Sequence, residues 1–111
     1  MNVGDSLKRY TRYKYWWYPH IIAMIREFPN GLGNTEKAEE ANEAISAVIS
    51  RTLDEDDGIE RVRAINEIYF QDKKNADGVA SELYVSRRKV EKWTHDFVYE
   101  VAHELGYYEQ S

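Results

Sequence analysis

An all-α fold is the class this sequence predicts, and three features predict it. Apolar residues recur at three- and four-residue steps in successive segments, nothing alternates with period two for long, and capping residues or glycine- and acid-rich breaks separate the segments. The expected architecture is a small helical domain with a carboxyl-terminal helix–turn–helix. With 111 residues, 42% hydrophobic and 32% charged, the chain can bury one core and is too apolar for wholesale disorder. Residues 1–56 read as an amino-terminal helical region serving packing and self-association. Residues 57–111 read as the helix–turn–helix region.

The elements follow in order. Asp5 or Ser6 can cap a first helix running toward Tyr18, where Pro19 breaks it or opens a second one. From Pro19 to about Phe28, Ile21, Ile22, Met24, Ile25 and Phe28 form a broad apolar face. Pro29 to Asn34 is a loop by its two glycines and turn-forming asparagines. Asn34 or Thr35 then caps a helix in which Ala38, Ala41, Ala44, Ile45, Val48 and Ile49 recur at helical spacing. Asp54 to Gly58 ends that helix, and its acids complement the positive amino-terminal end of the next. There Ile59, Val62, Ile65, Ile68 and Tyr69 make the expected buried stripe. Asn75 caps a short helix from Ala76 to about Leu83, and after a turn at Tyr84 and Val85, Ser86 caps a last helix. The inner face of that helix is Val90, Trp93, Phe97, Val101 and Leu105.

The last two helices match a helix–turn–helix template position by position. Counted from Ala76, the apolar slots at the fourth, eighth, tenth, fifteenth and eighteenth places hold Val79, Leu83, Val85, Val90 and Trp93. The fifth slot, where two short helices approach closely and only a small side chain fits, holds Ala80. The ninth, often glycine because the turn can require positive φ, holds Tyr84.

Composition bounds the function. Absence of cysteine excludes disulfides and thiolate zinc sites and is compatible with a reducing compartment. No apolar run approaches the roughly 20 residues that cross a bilayer, and the start lacks the apolar segment of a signal peptide, so a soluble cytoplasmic protein is expected. The net charge of −5 hides an asymmetry. Residues 1–28 carry five basic and two acidic groups, residues 29–70 four and ten, and residues 71–111 six and eight. Four of those last six cations fall between Arg87 and Lys92.

That local basic cluster is where the template puts a recognition helix. With Ser86 as cap, Arg87, Arg88, Lys89 and Lys92 occupy the first two turns, the part that enters the major groove of DNA. Arg suits a bidentate contact with guanine, and Lys a phosphate or guanine. Ser86 and nearby amide groups can take a phosphate, and Lys73 and Lys74 precede the first helix of the pair, placed for the DNA backbone. Glu100, Glu104 and Glu109 lie far down the second helix, away from a groove. The bland alternative is a solvated helix face, which is what most charge runs are.

Other motifs carry less. Tyr10, Tyr13, Tyr15, Trp16, Trp17 and Tyr18 sit among Lys8, Arg9, Arg12 and Lys14, a mixture that can stack on bases. Packing in a core or against a partner is the favoured expectation, because the aromatic run adjoins the apolar face of Ile21, Ile22, Ile25 and Phe28. Asn30 to Asn34 lacks the lysine and preceding strand of a phosphate loop. Glu100 and His103 have the i, i+3 spacing of a di-iron pair but no second copy. His95 has no evident nucleophile to serve, and Asp54 to Asp57 lack the twelve-residue calcium pattern. Neither catalysis nor a cofactor is expected.

The stretch "RVRAINEIYFQDKKNADGVASELYVSRRKVEKWTHDFVYEVAHELGY" resembles the carboxyl-terminal, sigma-region-4-like helix–turn–helix of small phage transcription regulators of the RinA and ArpU type. The shared features are "AINEIYF", the polar bridge "QDKKNA", "GVASELYVSRRKVEKW" and the closing "VAHELGY", over roughly residues 59–107. The front half is similar in layout only. The resemblance implies a sequence-specific DNA-binding regulator of phage or prophage genes, acting in the host bacterial cytoplasm on double-stranded DNA. RNA polymerase and a second copy of the chain are its further expected partners, and no membrane is. Carried over by position, Ser86, Arg87, Arg88, Lys89 and Lys92 form the recognition helix; Tyr84 in the turn and the bulky Trp93 depart from the pattern. Two rivals stand beside this expectation: a small terminase subunit for DNA packaging, and a helical protein–protein adaptor acting on polymerase or a repressor.

Overall fold

Among residues 16–107, which the computed structural model describes, every regular element is helical. The anticipated first helix from Asp5 or Ser6, with Tyr10, Tyr13 and the cations Lys8, Arg9, Arg12 and Lys14, lies outside the described residues, as does Glu109. No described helix is long and apolar enough to cross a membrane.

Helix α1 spans Tyr18–Glu27 and carries Pro19 in its first turn, where a missing N–H breaks no helical bond. Ile21 and Ile25 are fully buried, with Ile22, Met24 and Phe28 packed at the edge of the core. A 3-10 turn, Phe28–Asn30, leads into the glycine-containing loop. Helix α2, Glu36–Leu53, starts at Thr35, whose hydroxyl oxygen accepts a hydrogen bond from the Ala38 N–H at 3.1 Å. Glu36 and Glu39 sit in its first turn and Arg51 in its last, each sign matched to the helix end it occupies. Its buried face is Ala38, Ala41, Ala44, Ile45, Val48 and Thr52. The Thr52 hydroxyl is buried but satisfied, donating to the Val48 carbonyl at 2.7 Å.

The link to helix α3, Gly58–Ile65, is a tight corner. Asp57 is left-handed (φ 59°), and a Cβ on Gly58 would lie 2.5 Å from the carbonyl oxygens of both Leu53 and Thr52. Only glycine fits that approach. Its position also corrects one expectation. Ile59 is 72% exposed rather than part of the buried stripe. Gly58 makes the close contact, so the next residue, about 100° round the helix, faces solvent. Ala64, Ile65 and Tyr69 are buried, whereas Val62 and Ile68 are half-buried. The helix continues as a π-helical turn, Asn66–Phe70, closed by the Gln71 N–H donating to the Asn66 carbonyl at 2.8 Å. Tyr69 thereby stays in the core while Phe70 reaches Phe28, ring centres 5.5 Å apart.

Helix α4, Ala76–Leu83, and helix α5, Arg87–Glu104, complete the chain. Helix α5 packs against each of the other four helices. That is why its buried face (Val90, Trp93, Phe97, Val98, Val101 and Ala102) is wider than the single stripe its spacing predicts, and why Leu105 is left half-buried at the end. The main core joins Trp17, Tyr18, Ile21 and Ile25 to Ile45, Val48, Ile65, Tyr69 and the second half of α5, so it draws on both sides of the 56/57 boundary. A second cluster, Ala64, Val79, Ala80, Val90 and Trp93, lies under α4 and the start of α5. Burial of each large aliphatic side chain contributes about 1.5–3 kcal/mol, and this smaller cluster fixes how α4 and α5 cross.

Candidate nucleic-acid interface

The corner between α4 and α5 is built by local chemistry. Asn75 opens α4, its side-chain oxygen accepting from the Gly78 N–H at 2.9 Å. At the other end the Val85 N–H donates to the Ala80 carbonyl at 3.0 Å, and Tyr84 adopts the left-handed conformation (φ 57°, ψ 42°) that closes such a turn. Val85 and Leu83 then turn inward onto the second cluster. Ser86 caps α5, its hydroxyl oxygen accepting from the Lys89 N–H at 3.1 Å. Ala80 is 6% exposed, a small side chain between the two helices. Left-handed backbone costs a residue with a Cβ about 1–2 kcal/mol, so Tyr84 sits where glycine would be easier.

The first two turns of α5 present Arg87, Arg88, Lys89 and Lys92 to solvent, all four exposed. Acids accompany three of them. The Arg87 guanidinium lies 3.5 Å from Asp77 on α4 and 3.5 Å from Glu91 one turn on. Lys92 pairs with Asp96 at 2.8 Å. The Lys89 ammonium lies 3.6 Å from Asp57 in the α2–α3 corner and 5.7 Å from the centre of the Trp93 ring. Arg88 alone of the four has no ion pair among the described residues. From the sequence, only Glu100, Glu104 and Glu109 are weighed against this end, all far from it along the chain; the Asp57 and Asp77 contacts come from other elements and exist only once the chain folds. Glu91 and Asp96 were readable as i, i+4 partners.

Lys73 and Lys74 differ in environment. Both are exposed, and Lys73 has no side-chain ion pair among the described residues. Lys74 belongs to a network: its ammonium bonds Glu82 and lies 3.2 Å from Glu67, while Arg63 also pairs with Glu82 and approaches Glu67 at 3.9 Å. The hydrogen bonds that Lys74 donates to Glu82 and Glu67 raise its pKa, and the one Glu82 accepts lowers that carboxyl below its usual range. This network ties the polar bridge after the π turn to α4.

The aromatic residues divide. Trp17 and Tyr18 are buried, Trp17 meeting Tyr99 edge-on at 5.5 Å between ring centres. Trp16 is 73% exposed, so it lies outside the core of the single chain, and its ring meets that of Tyr107 edge-on with centres 6.0 Å apart. His95 stacks on Tyr99 at 4.5 Å, and burial lowers its pKa against the opposing pull of Asp96. Arg88, Glu91, Lys92, His95, Asp96 and Tyr99 line a shallow open groove along the outer face of α5. Among the described residues no three histidine or carboxylate side chains gather in a way that could hold a metal ion.

No protein-family model, curated protein or solved structure significantly matches this chain.

Proposed function

We propose that the chain binds double-stranded DNA through a helix–turn–helix formed by α4 and α5, as a transcription regulator of phage or prophage type. The observation that carries this reading is the start of α5: a Ser86-capped helix end with four exposed cations, supported from behind by the Ala80 crossing. Arg88, which makes no ion pair among the described residues, is the base-reading side chain, able to take guanine through two parallel hydrogen bonds. Arg87, Lys89 and Lys92 exchange their present carboxylate partners for phosphates or base edges, Ser86 contributes a phosphate contact, and Lys73 reaches the flanking backbone. Lys74 holds the bridge in place through Glu67 and Glu82 instead of touching DNA.

The test is enrichment of random duplex fragments on the purified full chain, sequencing, and anisotropy titration of the enriched site at several salt concentrations. Affinity should fall linearly on a log–log plot, with a slope of about −0.9 for each phosphate neutralised. Arg88→Ala should remove about 1–3 kcal/mol of specific binding and flatten the slope by about one, with the circular dichroism melt unchanged. An Arg88→Ala protein that discriminates like the parent refutes the assignment. The acids around Arg87, Lys89 and Lys92 favour one other reading, a helical adaptor whose mixed-charge face meets a protein. Failure to bind any duplex near 50 mM salt, where phosphate attraction is strong, selects that reading.

A further inference from the structure

We propose that Tyr84 is a DNA-backbone contact, its phenol hydroxyl donating to a phosphate oxygen at the edge of the groove entered by α5. The inference rests on the DNA-binding reading above.

Tyr84 stands two residues before the Ser86 cap and is 95% exposed, the most exposed large hydrophobic residue of the described chain. It contributes nothing visible to the fold. The hydrogen bonds of the turn are all main-chain: the Tyr84 N–H donates to Ser81 O at 3.4 Å and the Val85 N–H to Ala80 O at 3.0 Å. The residues on either side, Leu83 and Val85, do the packing. The backbone at φ 57° is one that glycine adopts more easily. A bulky ring thus occupies a strained position with no intramolecular return, which points to a return made with a ligand.

Position and chemistry identify the ligand. The turn leads straight into the end of α5 that carries Ser86, Arg87 and Arg88. In a helix–turn–helix the first residues of the second helix reach base edges, so a residue just ahead of the cap stands by the groove wall, where phosphates and sugars are. A phenol suits that place, with a neutral donor for the phosphate oxygen and an apolar ring to lie on the deoxyribose. Neutrality also gives it a signature that no lysine or arginine shares. Losing a cation changes the number of counterions released and hence the salt slope; losing a neutral donor displaces the whole line in parallel.

The experiment compares the full-length parent with Tyr84→Phe, Tyr84→Gly and Arg88→Ala. Binding is measured on the enriched duplex and on an unrelated duplex across a salt series, and each protein is melted. Tyr84→Phe should bind both duplexes about tenfold more weakly, in proportion to one hydrogen bond to a charged oxygen, with the salt slope unchanged. Tyr84→Gly should lose at least as much while melting at the same temperature or higher. Arg88→Ala, in contrast, should flatten the slope and lose discrimination. Parental binding by Tyr84→Phe overturns the inference, whatever Tyr84→Gly does, and leaves the DNA-binding reading standing. A loss confined to the enriched duplex makes Tyr84 a base reader and also overturns it. A lower melting temperature in Tyr84→Gly assigns the ring to the fold instead. A parent that binds neither duplex removes the proposed function and this inference together.

Discussion

Under the proposed DNA-binding reading, an intramolecular acid from another element and a DNA phosphate would compete for Lys89, and Asp57→Asn tests that competition. The Lys89 ammonium and the Asp57 carboxylate are 3.6 Å apart, and the two side chains are 49% and 48% exposed. At that distance a pair of unit charges in bulk water is worth about 1 kcal/mol. Half-exposed pairs fall to about 0.2–1 kcal/mol once screening and side-chain entropy are included. A phosphate taken by Lys89 must displace the carboxylate and lie near its charge. Neutralising residue 57 should therefore strengthen DNA binding roughly 1.5- to 5-fold. The substitution suits the backbone, because asparagine tolerates the left-handed conformation found there (φ 59°). Folding stability should fall by at most about 1 kcal/mol, so affinity and stability move in opposite directions. Fluorescence anisotropy at low and moderate salt, alongside a thermal melt, reads both. Affinity equal to or below that of the parent, in a protein that melts normally, shows that Lys89 does not meet phosphate and refutes the reasoning.

Three further outcomes test the fold beneath the site. Ala80→Leu should overpack the α4–α5 crossing, lowering stability by about 1–3 kcal/mol and weakening DNA binding with it; a parental melt shows that the crossing has room. Gly58→Ala should destabilise clearly in a denaturant titration, because the new methyl meets two backbone carbonyls at 2.5 Å and neither is a movable side chain. Glu100→Gln should raise the melting temperature at pH 7. Burial foremost, then the nearby Glu55 charge, raises the Glu100 pKa in the folded state. An acid with a raised folded pKa favours folding when protonated, and that contribution is lost as pH rises through the folded pKa. The advantage of the glutamine should therefore vanish as pH falls below about 4.5, the ordinary value of the carboxyl. An advantage that grows on acidification contradicts this.

What the sequence made legible was local. Thr35, Asn75 and Ser86 each accept from the N–H three residues on. Such a bond depends on nothing beyond its own turn, so residue type and position suffice to locate it. Ala80 and the left-handed Tyr84 were legible for a similar reason, since a short helix, a turn and a second helix leave few ways to cross. On α1, Ile21 and Ile25, one helical turn apart, are buried, while Ile22, Met24 and Phe28 are half-buried at the edge of the core. What escaped depends on approach between distant segments. The exposure of Ile59 follows from the contact of Gly58 with the end of α2, which no periodicity encodes. The pairing of Lys74 requires Arg63, Glu67 and Glu82 to converge from α3, the π turn and α4. The pairing of Lys89 with Asp57 joins residues 32 positions apart, both of which look like ordinary solvated charges in the sequence.

Those acids bear on how selective a DNA contact at α5 can be. Phosphate attraction is the same for every sequence, so unopposed cations raise binding to all duplexes alike. If α5 meets DNA as proposed, Asp57, Asp77, Glu91 and Asp96, which pair with its cations, would oppose that attraction wherever the helix lands. In the proposed reading, base-edge hydrogen bonds by Arg88 would form only on a matching site and could overcome that opposition there. Discrimination is a difference of affinities, and it can be raised by penalising the wrong partner as well as by rewarding the right one. Asp57→Asn should then strengthen binding to unrelated duplex at least as much as to the enriched site, so the ratio between the two stays level or falls as absolute affinity rises. A ratio that increases would mean that Asp57 restrains a base-reading contact of Lys89, and that the acids do not act as a uniform brake on phosphate binding.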